Sequence, residues 1–155
     1  MITINKSPNA DARTANKTVS RNELFKNSKQ HINDVKKVMS WIGHKLIETG
    51  RKHDYTKIVY LEEFYHDYSL SQQGFQGDFK QRHWFKDLHL MERHHLTDKC
   101  PEDVNLFDII ERIADITTAG MARSGTIYED DLPQETLLKA YNNTVQLIKD
   151  NIEVL

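Results

Sequence analysis

A chain of 155 residues is long enough to build one hydrophobic core without covalent staples. Its formal charge of −2 and pI near 6.4 exclude a whole-chain electrostatic pull toward nucleic acid or an anionic membrane, so no stable nucleic-acid complex is expected. The single cysteine, Cys100, excludes an internal disulfide framework and suits a reducing cytosol.

Cys100 lacks a CxxC partner and is read as structural. No apolar run reaches the length of a membrane span, and Met1-Ile2-Thr3-Ile4 is too short for a signal core. The expected location is the cytoplasm, that of the host if the chain is phage-encoded.

Residues 1–19 are polar and aperiodic and read as an N-terminal arm; residues 20–155 read as one helical domain. Ser20 with Glu23 matches a capping box. Leu24, Phe25, Ser28, His31, Ile32, Val35, Val38, Met39, Ile42 and Leu46 then recur at three- and four-residue steps, which predicts one long amphipathic helix, or two with a restart at Asn27 or Ser28, closed by Gly50. His31 falls in the core-facing stripe; His44 falls outside it. Ile58, Leu61, Phe64, Tyr65 and Tyr68 predict a second helix, with His66 and Asp67 exposed, and residues 72–77 a loop. Asp78 is placed to cap a third helix carrying Phe79, Trp84, Phe85, Leu88 and Met91. Pro101 or Glu102 is expected to open a fourth, with Val104, Phe107, Ile110, Ile113, Ala114 and Thr117 inward. Pro133 suits the first turn of a last helix, buried through Leu137, Leu138, Tyr141, Val145, Ile148 and Ile152; the same helix is a candidate dimer face. No sustained period-two alternation appears, so the fold class is all-α.

Eight histidines invite a metal hypothesis. The turn Gly50-Arg51-Lys52-His53-Asp54-Tyr55-Thr56-Lys57 joins an imidazole, a carboxylate and an ammonium, the first two suited to a divalent cation and the third to an anionic substrate. Taken singly, His-Asp is a common surface dipeptide. A lone buried His or Asp is most often a satisfied core or capping residue. Asp115, however, lies between Ala114 and Ile116 in the most hydrophobic helix, and His31 lies on an apolar stripe. Buried polar groups of this kind are costly unless paired or placed on a metal. His89, His94 and His95 add imidazoles near a helix end. His89 and His94 stand about 140° apart on an ideal helix, so they meet only if the helix ends or bends around Glu92 to His94.

The order His31, His53-Asp54, His89, His94-His95, Asp115 resembles the HD-domain metal-dependent phosphohydrolases, whose signature is H…HD…D on a helical bundle. His53-Asp54-Tyr55-Thr56-Lys57 resembles the family's HD-x-[GS]-K, and Ile113-Ala114-Asp115 its last ligand helix. More narrowly, the set W-x(4)-H-x(4)-HH after HD-x-[ST]-K is similar to small HD-like proteins of bacteria and their phages. The likeness runs from about Ser20 to Gly125. Two departures are a short spacing from the first His to the HD pair, and a basic rather than apolar run before His53.

The resemblance implies an HD-like helical bundle in which His31, His53, Asp54 and Asp115 hold one metal. Asp54 would bridge to a second held by His89, His94 and His95. It implies one or two divalent ions (Mn, Fe, Mg, Ni or Co) and hydrolysis of a nucleotide or similar small phosphate ester. Lys57 would contact the phosphate, with Arg93, Arg123 and Ser124 as further candidates. Glu92 and Glu111 are positioned to orient imidazoles. Trp84 is a candidate to stack a base, although a Trp among Phe79, Phe85 and Leu88 is more often core. Two alternatives stay open: a di-iron HD-type oxygenase, and an inactive helical binding module that keeps metal only for stability.

Overall fold

A computed structural model describes residues 1–7, 18–74 and 77–155. The expected arm is therefore seen only at its ends, and Pro8, Asp11 to Thr14, Phe75 and Gln76 lie outside the described residues. The protein is all-α apart from one short two-stranded sheet. Among the described residues the α-helices are α1 (Arg21–Lys52), α2 (Tyr55–Val59), α3 (Leu61–Gln72), α4 (Leu106–Ser124) and α5 (Gln134–Asp150). Strand β1 (Ile2–Ile4) pairs in parallel with β2 (Ile152–Val154), Ile2 opposite Ile152. Neither strand was expected from the sequence, because three residues are too few to display a period of two. Contacts divide the chain into two compact units, one of Met1–Lys45 with Val145–Leu155 and one of Leu46–Thr144. No helix among the described residues is long and apolar enough to cross a membrane.

In the first unit, the Ser20 hydroxyl accepts from the Glu23 N–H at 3.2 Å, the expected cap. α1 does not stop at Gly50 but continues to Lys52, ending with Arg51 and Lys52 in the last turn, where cations complement the helix dipole. None of its residues is buried, and His31 is exposed rather than core-facing.

In the second unit, the Leu96, Val104, Ile109 and Ala140 side chains form a small core flanked by Leu106 and Leu132. α4 begins at Leu106, not at Pro101. Asn105 accepts from the Phe107 N–H, and Asp108 reaches back to the Asn105 N–H at 2.8 Å, a reciprocal cap that satisfies donors the helix leaves free. The Thr144 hydroxyl accepts from the Leu106 N–H at 2.8 Å and donates to the Ala140 carbonyl at 2.7 Å, tying α5 to the start of α4. Of α5, Thr136, Ala140 and Thr144 are buried, whereas Leu137, Leu138, Tyr141 and Val145, expected inside, are exposed. Ile110 and Ile113 of α4 are likewise exposed.

The third predicted helix is instead a string of tight turns. A 3₁₀ turn over Phe79–Gln81 is capped by Asp78, as expected; a π-turn over Trp84–Leu88 and a second 3₁₀ turn over His89–Met91 follow. Glu92 then turns extended, with ψ of 134°. This is the break that lets His89 and His94 approach one another.

Candidate metal centre

The centre lies within the second unit and begins where α1 ends. Asp54, first residue after His53, has φ of 56°, the one non-glycine residue with positive φ among those described. Asp tolerates this left-handed geometry better than most residues, and such outliers concentrate at functional sites. The conformation is held from below by Glu92, which accepts from the Asp54 N–H at 2.7 Å, from the Thr56 N–H at 3.0 Å and from the Thr56 hydroxyl. Glu92 and Thr56 are buried. Burial alone would raise the Glu92 pKa, but hydrogen bonds from His89 and Thr56 outweigh it and hold the carboxyl down at about 2.

Thr56 is the residue of this cluster to which the sequence reading gave no role. His89 Nδ1 lies 2.7 Å from its hydroxyl, so Thr56 carries the Glu92 carboxylate's influence to the imidazole. That bond fixes which ring nitrogen of His89 faces the centre. Its only trace in sequence was a hydroxyl residue two positions after Asp54, without a stated role.

Around Asp54 the expected ligands converge. His53 Nε2 stands 3.5 Å from Asp54 Oδ2 and 3.6 Å from Asp115 Oδ1. Asp54 Oδ1 lies 3.7 Å from His89 Nε2 and 3.8 Å from His94 Nε2, and His95 Nε2 lies 2.9 Å from His89 Nε2. Glu111 Oε1 meets His53 Nδ1 at 2.9 Å and sits 3.1 Å from His94 Nδ1, the latter outside hydrogen-bonding geometry. Donor sets within 4.8 Å of one another include His53, His94 and Asp115; Asp54, His94 and His95; and Asp54, His89 and Glu92. Two donors each about 2.1 Å from one ion are roughly 3 Å apart at right angles and roughly 3.4 Å apart at the tetrahedral angle. The observed separations fall close to that range.

Burial supplies an independent test of fit. Asp54 Oδ1 and both ring nitrogens of His94 are buried without a hydrogen-bond partner among the described residues. His94 is only 2% exposed. Buried polar atoms are nearly always paired, and leaving one unpaired costs about 1–3 kcal/mol. A divalent cation would satisfy Asp54 Oδ1 and His94 Nε2 together, while Glu111 lies beside His94 Nδ1, so the residues present fit one.

Charge is distributed unevenly across the cluster. The Asp115 carboxylate, then that of Glu111, raises the His53 pKa to about 10, so an ion held by His53 would have to displace a proton from it. Burial, then the neighbouring His94 and His89, lowers the His95 pKa to about 4. His95 is thereby kept neutral at pH 7, the form in which an imidazole ligates. Lys57 forms an ion pair with Asp54 Oδ2, which places the ammonium at the edge of the centre.

The remaining expectations fare differently. His31 is exposed on α1 and joins none of the donor sets found among the described residues. Arg93 is taken up elsewhere: Nε and Nη2 grip the Asp108 carboxylate at 2.7 and 2.8 Å, and Nη1 reaches Asp103 at 2.9 Å. A guanidinium saturated by two aspartates braces the α4 cap instead of receiving a phosphate. Arg123 is exposed on the last turn of α4. The Ser124 hydroxyl closes that helix end through the Gly120 carbonyl at 3.0 Å and the Thr126 hydroxyl at 2.8 Å. Trp84 is core, as the blander reading held. At 1% exposure, its ring lies between Phe64, with centroids 4.1 Å apart, and His89, with centroids 4.5 Å apart.

Comparison with protein-family models, curated proteins and solved structures finds no match for the chain.

Proposed function

We propose that the protein is a metal-dependent hydrolase of small phosphate esters, of the HD type. The observation that carries this reading is the pair of orphaned buried atoms Asp54 Oδ1 and His94 Nε2, 3.8 Å apart, at the meeting point of His53, His89, His95 and Asp115. In it, His53, Asp54, His94 and Asp115 hold one divalent ion, and His89 and His95 with Asp54 provide for a second. Oxygen and nitrogen donors without thiolate favour Mn, Fe, Mg, Ni or Co. Such an ion supplies Lewis acidity toward a phosphoryl oxygen and lowers the pKa of a water near it. The chain's own groups do the rest. Glu111 accepts from His53, and Thr56 with Glu92 fixes His89, so the ligand rings are pre-oriented. Lys57 exchanges its Asp54 partner for a phosphate oxygen, compensating charge at the reacting ester. The exposed free thiol of Cys100 supports a reducing compartment, the cytoplasm, as the place of action.

The test is elemental analysis of protein purified without chelator, followed by a phosphate-ester screen across Mn, Fe, Ni and Mg. Asp54→Asn is expected to lose bound metal and at least a hundred-fold in turnover. Full turnover in that variant removes Asp54 from its role. A metal-loaded protein with no hydrolysis of any ester, but with a mixed-valence iron signal, replaces the hydrolase with an oxygenase.

A further inference from the structure

Beside the metal centre lies a cavity of about 500 Å³, lined by Phe64, Tyr68, Phe79, Trp84 and Phe85 together with Lys57, Ser71, Gln72 and His89. Its volume is that of a small-molecule site. Two of its lining residues, Lys57 and His89, also belong to the centre: Lys57 is paired with Asp54, and His89 Nε2 lies 3.7 Å from Asp54 Oδ1. The cavity and the centre therefore share a wall.

Its composition is lopsided. Phe64, Phe79 and Phe85 are half-buried and Tyr68 is 48% exposed, so four ring systems border the space without being sealed into the core. Phe79 stands at the middle, with centroid distances of 6.3 Å to Phe64, 6.4 Å to Tyr68 and 6.0 Å to Phe85, all in tilted or edge-on arrangements. Trp84 does not offer a free face, because Phe64 and His89 cover it. Ser71 is already committed, donating to the Asp67 carbonyl at 3.0 Å and accepting from Arg82 Nε at 3.0 Å. Lys57 lines the cavity, with Lys80 5.8 Å from the Phe85 ring centroid and Arg82 behind Ser71.

We propose that this cavity seats a flat aromatic ring carried by the phosphate-ester substrate. This deepens, and rests on, the phosphohydrolase reading. Tilted aromatic walls receive a ring edge-on or offset-stacked, and sequence-tolerant stacking of this sort distinguishes flat from aliphatic groups. The Lys57 ammonium, on the wall shared with the centre, matches the phosphate that such a ring would carry.

Equilibrium binding to Mn²⁺-loaded protein, compared for phenylphosphonate, methylphosphonate and the neutral ring compound benzamide, tests this without turnover. Wild type is expected to bind phenylphosphonate about ten-fold or more tighter than methylphosphonate, as stacking of roughly one ring provides. Tyr68→Ala and Phe79→Leu should erase most of that ratio and leave methylphosphonate binding within two-fold. Tyr68 is at the rim, and leucine keeps apolar bulk at position 79, so loss of folding does not mimic the result. Equal affinity of wild type for the two phosphonates overturns the aromatic seat while leaving the phosphate reading intact. Tyr68-dependent binding of benzamide, with neither phosphonate bound, upholds the seat for a ring and overturns the phosphohydrolase beneath it. Absence of binding by all three overturns both.

Discussion

Asp67 shows how single buried groups hold the turns on which His89 rides. Its carboxylate accepts from the Trp84 backbone N–H at 2.8 Å, anchoring the first residue of the π-turn, and lies 3.2 Å from His66 Nδ1. Burial opposes the charge, yet the Trp84 N–H and then His66 outweigh it, and the pKa falls below its ordinary 3.8. A carboxyl depressed in the folded state stabilises fully above its unfolded pKa, and the contribution fades as pH drops through the folded value. Asp67→Asn is therefore expected to cost about 1 kcal/mol at pH 7, the difference between a charged and a neutral acceptor. The gap to wild type should shrink progressively once the pH is brought below the ordinary value of 3.8. Chemical denaturation of both proteins at neutral and acid pH reads the difference directly; a gap that widens in acid would refute the assignment. Residues of this kind were hard to read in sequence. His66-Asp67 looked like an exposed dipeptide, and nothing local announces that Asp67 reaches a backbone donor seventeen positions away.

Elements were legible to the extent that one residue declares them. Ser20 with Glu23 and the cap at Asp78 declared theirs, because a side-chain acceptor near free N–H groups leaves a local signature. The segment from Phe79 to Met91 did not: apolar steps of three and four suit an α-helix and a chain of 3₁₀ and π turns equally well. Of the site, His53, Asp54, His89, His94, His95 and Asp115 were legible as an ordered set. His31 was misplaced, because a stripe of apolar residues predicts burial only if something covers it. The end of α4 gives a sharper test of element packing. Gly120 is buried, and a Cβ built there would overlap the Thr126 carbonyl oxygen and stand 2.9 Å from the Tyr128 nitrogen. Both obstacles are backbone atoms and yield only by moving the loop after the helix. Gly120→Ala, which raises helix propensity, should nonetheless destabilise the protein by about 1–3 kcal/mol. Thermal unfolding at neutral pH checks the sign; a rise in Tm would show that the loop moves freely.

At the scale of the molecule, a core of a few residues sits beside many large apolar side chains left in water. On α1, Phe25, Ile32 and Met39 are exposed at steps of seven, with Val35 between the last two, the seam pattern of helices that pair. Association of a second copy through α1 is the expected outcome. Light scattering should return at least twice the mass of one chain, and Ile32→Glu should return that of a single chain. A wild-type monomer at micromolar concentration would exclude the seam. Because His31 lies on the same exposed helix and outside the metal-capable sets, Ile32→Glu is expected to leave metal content unchanged.

The left-handed backbone at Asp54 bears on how this protein is weighed against its own durability. An L-residue other than glycine forfeits about 1 kcal/mol by adopting that twist, and here the residue also carries an oxygen that no neighbour greets. Asp54→Gly would relax the first burden and remove the second, at the loss of the Lys57 pairing. A variant that survives heating better than its parent while holding no ion at all would mark position 54 as a place where endurance has been surrendered for chemistry.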